Sequence, residues 1–276
     1  MKRISILVFI LLIISTIFSL NIVATINPYF LLVKDIVQNK AEVNLLLKPG
    51  VNPHVYSLKV SDVKLLNSAD LIIANGYLET YLEKYNNVFR VSDFIPNIFI
   101  ENKNPHFWLD PFYVKYYVIP AIVQKLSEID PSNKEFYENN ARKIISDINN
   151  FIFQSFIVLK NINGKVLVHH PSFYYYFKEF GVQIIWIEEG HNTSTSIKEL
   201  LNIIKSQNIV AIFTEVQQSE KEIEIISKEL GENYFVLDPL GVDSSSFIDL
   251  YNKNLNEIRR AVYNEWFCYR GWKFKL

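Results

Sequence analysis

The chain has 276 residues, of which 49% are hydrophobic, with 28 Lys+Arg against 29 Asp+Glu. That length supports two ordinary domains, and the balanced charge without a basic stripe excludes nucleic acid as the main partner. The single cysteine, Cys268, excludes an internal disulfide and leaves the compartment open.

The chain opens "MKR" and continues "ISILVFILLIISTIFSL" over residues 4–20. A basic head before an unbroken apolar run reads as an export signal over residues 1–20. At the short end of what spans a bilayer, the run is either cleaved, with Ser19 the best residue before a cut, or kept as an anchor. No cysteine follows it, so a lipid-anchored N-terminus is not expected.

Strand-like segments follow: "NIVATI" (21–26), "EVNLLL" (42–47), "DLIIAN" (70–75), "KVLVHH" (165–170), "VQIIWI" (182–187), "IVAIFT" (209–214) and "YFVLD" (234–238). Each is short, rich in β-branched residues and almost continuously apolar, as strands covered on both faces are. Between them lie amphipathic stretches. "SDVKLLNSA" opens on Ser61 at an expected cap position, with Asp62 as N-terminal helix charge. "SIKELLNIIKSQ" and "SEKEIEIISKELG" have helical spacing, and the second stops at Gly231. Strand alternating with helix implies parallel α/β sheets.

The pattern occurs once before residue 130 and again after 164. In between, Tyr137, Ala141, Ile144, Ile148, Phe151, Ser155 and Leu159 step by three and four. Asp130-Pro131 offers a start and Gly164 a stop. The expected architecture is therefore α/β, with two parallel-sheet lobes, 21–130 and 164–276, joined by one long helix over 131–163, about 40 Å at 1.5 Å per residue.

Five histidines are present, and Asn-Pro-His occurs twice, ending at His54 and His106. Proline stiffens the main chain before each imidazole. His54 follows the strand "EVNLLL"; His106 lies in the loop entering "FWLDP". His169 and His170 end "KVLVHH", and Asp238 ends "YFVLD". Ligands of parallel sheets bind beyond the carboxyl ends of the strands. His54, His106, His170 and Asp238 thus fall where a cleft between lobes would lie, and three imidazoles with a carboxylate suit Zn²⁺ or another borderline divalent ion. Strand alternation turns His169 away from His170, to a structural role. His191, in "EEGHNTSTS", reads as surface. Asp110 either caps a helix or orients His106 from behind, as ligating imidazoles usually require.

The stretch "NPHVYSLKVSDVKLLNSADLIIANGYLETYLEK" resembles the first metal-ligand region of the zinc/manganese-type solute-binding proteins of ABC importers, the ZnuA/TroA-like family. "PHFWLDP" resembles its second ligand motif, "DPSNKEFYENNA" the start of its long helix, "HPSFYYYFKEFG" its third ligand motif and "VLDPLG" its fourth. The likeness runs in order from about residue 21 to 262. It implies two lobes joined by a rigid helix, a metal held by His54, His106, His170 and Asp238, and delivery to a membrane permease of an ABC transporter by an exported, monomeric, non-enzymatic protein. Pro171 stands where the family often has Asp, the His-rich loop of some zinc members is missing, and so is the lipoprotein cysteine. The tail "YNEWFCYRGWKFKL" has no counterpart; its aromatic and basic residues either rest on a membrane surface or pack on the C-terminal lobe.

Imidazole suits zinc better than manganese, so Zn²⁺ is the expected cargo and Mn²⁺ the alternative. A zinc hydrolase would need an open coordination position and a base, for which Glu215 is the nearest candidate. An adhesin-type surface protein would share the same metal site.

Overall fold

The computed structural model describes residues 20–160, 162–187, 201 and 204–269, and for 264–269 the helical path alone. Two four-stranded sheets form. The first contains β1 (Leu20–Ala24), β2 (Ala41–Leu45), β3 (Leu71–Ala74) and β4 (Val88–Arg90) in the order β2-β1-β3-β4. The second contains β5 (Lys165–Val168), β6 (Gln183–Trp186), β7 (Ile209–Glu215) and β8 (Tyr234–Leu237) in the order β6-β5-β7-β8. Every pairing is parallel. Each sheet starts at an inner strand, steps to one side, then crosses to the other. The crevice that this reversal leaves at the carboxyl edge is where such sheets hold ligands.

All seven expected strands form. The one missed, β4, is only "VFR", too short for a periodicity to register. It matters because it leads into the segment that carries His106. The main helices are α1 (Asn27–Val37), α2 (Val60–Asn67), α3 (Ile119–Ile129), α4 (Lys134–Leu159), α5 (Tyr174–Glu179), α6 (Glu220–Leu230) and α7 (Phe247–Tyr269). A π turn, Val114–Val118, precedes α3 and takes up the extra room that the ring and missing N–H of Pro120 demand. Ser61 does not cap α2. The cap position is Lys59, whose N–H donates to Asp62 at 2.6 Å, and Ser61 lies within the first turn. Gly231 ends α6 at φ 72°, the left-handed position that glycine fills without strain. His191 and residues 270–276 of the tail lie outside the described residues.

The connecting helix begins as a short 3₁₀ turn, Pro131–Asn133, and continues as α4 for 26 residues. Its seven apolar-stepping positions, Tyr137 through Leu159, are all buried. One hydrophobic core runs from the first sheet through α4 into the second, and a small satellite of Leu167, Ile204, Ile212, Ile223 and Ile226 lies under α6. Helix α7 returns from the second lobe to close the junction. Its Phe247 N–H donates to Asp35 on α1 at 2.8 Å, and Tyr251 donates to the Trp108 carbonyl at 2.8 Å. Trp108 in turn donates from Nε1 to the Pro239 carbonyl at 2.9 Å. Asn27 donates to the carbonyls of Leu240 and Gly241 at 2.9 and 2.8 Å.

Phe151 of α4 lies at this junction, 4.7 Å from the Tyr251 ring and 6.0 Å from that of Tyr176. Truncating it removes packing between α4 and the second lobe, within the core that both lobes share. Phe151→Ala should cost about 3–5 kcal/mol. That corresponds to a fall on the order of 10 °C in a single transition, because the core is shared. Calorimetry checks this; two separate transitions in the wild type would show that the lobes unfold independently.

Candidate metal centre

Both Asn-Pro-His segments build the same local device. Asn52 Oδ1 accepts the His54 N–H at 2.9 Å, and Asn104 Oδ1 accepts the His106 N–H at 3.0 Å. In each, the asparagine side chain closes a turn across the proline and fixes the main chain of the histidine. His54 sits on the 3₁₀ turn Pro53–Val55 beyond β2, and His106 opens the 3₁₀ turn His106–Leu109 beyond β4. His170 follows β5 in extended conformation, held off the helical region by Pro171.

The three rings converge. His106 Nε2 lies 3.1 Å from His54 Nε2 and 3.3 Å from His170 Nε2. Each residue's ligand atom is within 4.8 Å of the others. A tetrahedral zinc with Zn–N bonds of 2.0–2.1 Å has N···N edges of about 3.3–3.4 Å, so the two closest separations suit such an ion. His106 forms the buried floor, His170 is half-buried and His54 is exposed at the mouth. Burial, followed by the neighbouring His170 and His54, holds the His106 imidazole well below its ordinary range. It is therefore neutral at pH 7, with a lone pair available for a metal.

The cleft between these rings has a volume of about 20 Å³. Its described lining includes Trp108, Glu215, Gln217, Gln218 and Pro239 beside the three histidines. A single water-sized body needs about 10–15 Å³, whereas organic ligands need about 300 Å³ or more. The site is dimensioned for an ion.

His169 has the structural role expected of it. It is 6% exposed and turned from the cleft, with Nδ1 at 3.2 Å from the Thr214 hydroxyl and Nε2 at 3.5 Å from Glu222. Asp238 ends at the same strand edge but is not in the converging set. Its carboxylate accepts the N–H groups of Leu240 (3.2 Å), Gly241 (2.8 Å) and Val242 (2.5 Å). Glu215, 5% exposed, accepts a hydrogen bond from the Ser172 hydroxyl. Asp110 takes the capping alternative: Oδ1 accepts the N–H groups of Phe112 and Tyr113 at 2.8 and 3.0 Å. The group behind His106 is Asn104, whose Oδ1 lies 2.6 Å from His106 Nδ1. The repeated Asn before Pro-His was its visible signal.

Fold and site together define a two-lobed α/β binding protein with an ion-sized, imidazole-lined cleft. The profile of the ZnuA family, described as zinc-uptake complex component A, periplasmic, matches residues 22–261, and the chain belongs to that family. A putative metal-binding protein of Thermotoga maritima is 47% identical over 253 residues, 89% of this chain and 94% of its own. A manganese ABC transporter substrate-binding lipoprotein, PsaA of Streptococcus mitis, is 26% identical, covering 88% of this chain and 89% of its own. A crystal structure of ZnuA superposes with TM-score 0.78 at 23% identity, over 88% of this chain and 99% of that one, a likeness of fold.

Asp110 beneath the site carries a pH signature. It is fully buried, and its Oδ2 has no hydrogen-bond partner among the described residues. Burial pushes its carboxyl up to about 7, against the pull of its two capping N–H groups. An unfolded Asp titrates near about 3.9, so between these values the folded state holds the extra proton. Its contribution is present at low pH, drains as pH rises towards about 7, then levels. Asparagine caps equally well and carries no charge. Asp110→Asn should therefore gain stability relative to wild type as pH rises from 4 to 7, by on the order of a few kcal/mol. Urea denaturation at pH 5 and pH 8 tests it; an identical difference at both would show that Asp110 does not titrate in this window.

Proposed function

We propose that this protein captures a divalent transition metal outside the cytoplasm, Zn²⁺ first, and delivers it to the membrane permease of an ABC importer. The observation that carries the reading is the convergence of three imidazoles on one ion-sized cleft, with His106 Nε2 near tetrahedral-edge distance from both of the others. His54, His106 and His170 are the proposed ligands. Asp238 is the proposed fourth donor: three backbone bonds occupy three of a carboxylate's roughly four lone-pair sites, leaving one for a cation. A buried floor histidine that is already neutral spares the ion the work of displacing a proton there.

Imidazole-rich coordination favours zinc, while manganese draws more oxygen ligands. Mn²⁺ stays the alternative because the similar PsaA protein is named for manganese. A hydrolase is disfavoured by the family, which is described as an uptake-complex component, and by Glu215 being engaged with the Ser172 hydroxyl. The family is described as periplasmic, which supports export. Residues 4–20 are proposed as the signal or a retained anchor; among the described residues no helix is long and apolar enough to cross a membrane. One chain supplies every proposed ligand, so a monomer suffices.

Ala at His54, His106 or His170 should each weaken Zn²⁺ binding by about tenfold or more, while His169→Ala should leave it within a few-fold. Saturating Zn²⁺ should stabilise the wild type by about 4 kcal/mol at a thousandfold excess over Kd. Calorimetric titration and thermal melts decide both; equal melting temperatures with and without Zn²⁺ and Mn²⁺ would overturn the metal-binding reading.

The shared core and the continuous α4 argue against a hinge swing between the sheets. Adding Zn²⁺ should therefore leave the radius of gyration in solution scattering nearly unchanged. A clear compaction would show that the lobes swing.

A further inference from the structure

The loop that carries His106 is wound in an unusual way. Asn102 and Lys103 both have positive φ, 50° and 56°, a region that residues with side chains seldom adopt. They form the centre of a tight turn closed by the Asn104 N–H on the Glu101 carbonyl at 2.8 Å. Such a turn persists only where its surroundings over-determine it. Here both ends are held by the opposite lobe. The Glu101 side chain pairs with Lys178 and accepts the Tyr174 hydroxyl. The Tyr175 hydroxyl accepts the Glu101 N–H at 3.1 Å and donates to the Asn104 carbonyl at 3.0 Å.

The Asn104 side chain then does two things at once. Oδ1 accepts the His106 N–H and lies 2.6 Å from His106 Nδ1. Nδ2 donates to the carbonyl of Pro171, the residue after His170, at 3.1 Å. The amide cannot be reversed, because that would set NH₂ against the His106 N–H and oxygen against the Pro171 carbonyl. A carbonyl oxygen accepts only, so the ring nitrogen it meets must be the one bearing hydrogen. That assigns His106 the Nδ1–H tautomer and leaves the lone pair on Nε2, the atom facing His54 and His170.

We infer that Asn104 is the positioning residue of the cleft, fixing the His106 tautomer and tying the His106 arm of one lobe to the His170 arm of the other. The inference rests on the metal-binding reading for its consequence, but its immediate effect is visible without metal. In a chelator-treated sample, ¹⁵N-correlated NMR of the wild-type imidazoles should show His106 as the Nδ1–H tautomer. Asn104→Ala should give a tautomer mixture and weaken Zn²⁺ binding about 10- to 100-fold in competition with a chromophoric chelator. Asn104→Asp keeps both acceptor contacts and sets oxygen against the Pro171 carbonyl. It should retain the tautomer while losing part of the affinity. An unchanged tautomer with affinity within twofold in Asn104→Ala would overturn the inference. If that variant fails to fold, Asn104→Asp decides alone, and loss of the Nδ1–H tautomer in it would overturn the assignment. A wild type that shows the tautomer but binds no Zn²⁺ would fail the functional reading and leave the positioning role standing.

Discussion

Three imidazoles gathered with their ligand atoms within 4.8 Å of one another are an unfavourable arrangement unless the surroundings enforce it. His106 Nε2 stands 3.1 and 3.3 Å from its two neighbours, and gathering three basic rings there strips each of water and excludes a second positive charge. Much of the rest of the fold can be read as the frame that sustains this. The rings come from the ends of three different strands in two sheets. The sheets are locked by a shared core, by the unbroken α4 and by α7 crossing back to both. Trp108 shows how directly the frame reaches the site. Its ring lies 5.0 Å from that of His106, its indole N–H is bonded to Pro239, and its carbonyl receives Tyr251. A cation bound between the rings, as proposed, would draw on a geometry the frame has already assembled, so little further ordering would be needed on binding.

The sequence exposes the strands and the long helix because their burial imposes a periodicity. Continuous apolar runs mark strands covered on both faces, and a stride of three and four over Tyr137–Leu159 marks one buried helical stripe. It exposes the candidate ligand positions because each follows a strand end or a proline that freezes the chain. β4 escaped because three residues cannot display a period. Asn104 escaped for a different reason. Its role depends on the Pro171 carbonyl, 67 residues away, and on a turn of positive φ that no pattern of hydrophobicity records. Ser61 was mistaken for a cap because Lys59 cannot cap with its own side chain, and the carboxylate of Asp62 does the work from three residues later.

The sequence contains Leu-Asp-Pro twice, at 109–111 and 237–239, and the two copies show how one local device serves two ends. In each, the aspartate accepts backbone N–H groups two and three residues on, across a proline that has none to offer. Asp110 is sealed under the site, where a charge is costly, and its carboxyl is pushed to about 7. Asp238 is only half-buried, gathers a third N–H from Val242, and precedes the Pro239 and Leu240 that line the cleft. The same tripeptide is therefore a capping element in one place and a candidate ligand in the other, and burial separates the two. Sequence motifs in this fold specify local geometry; whether that geometry meets an ion is decided by which strand edge carries it and by what the opposite lobe places against it.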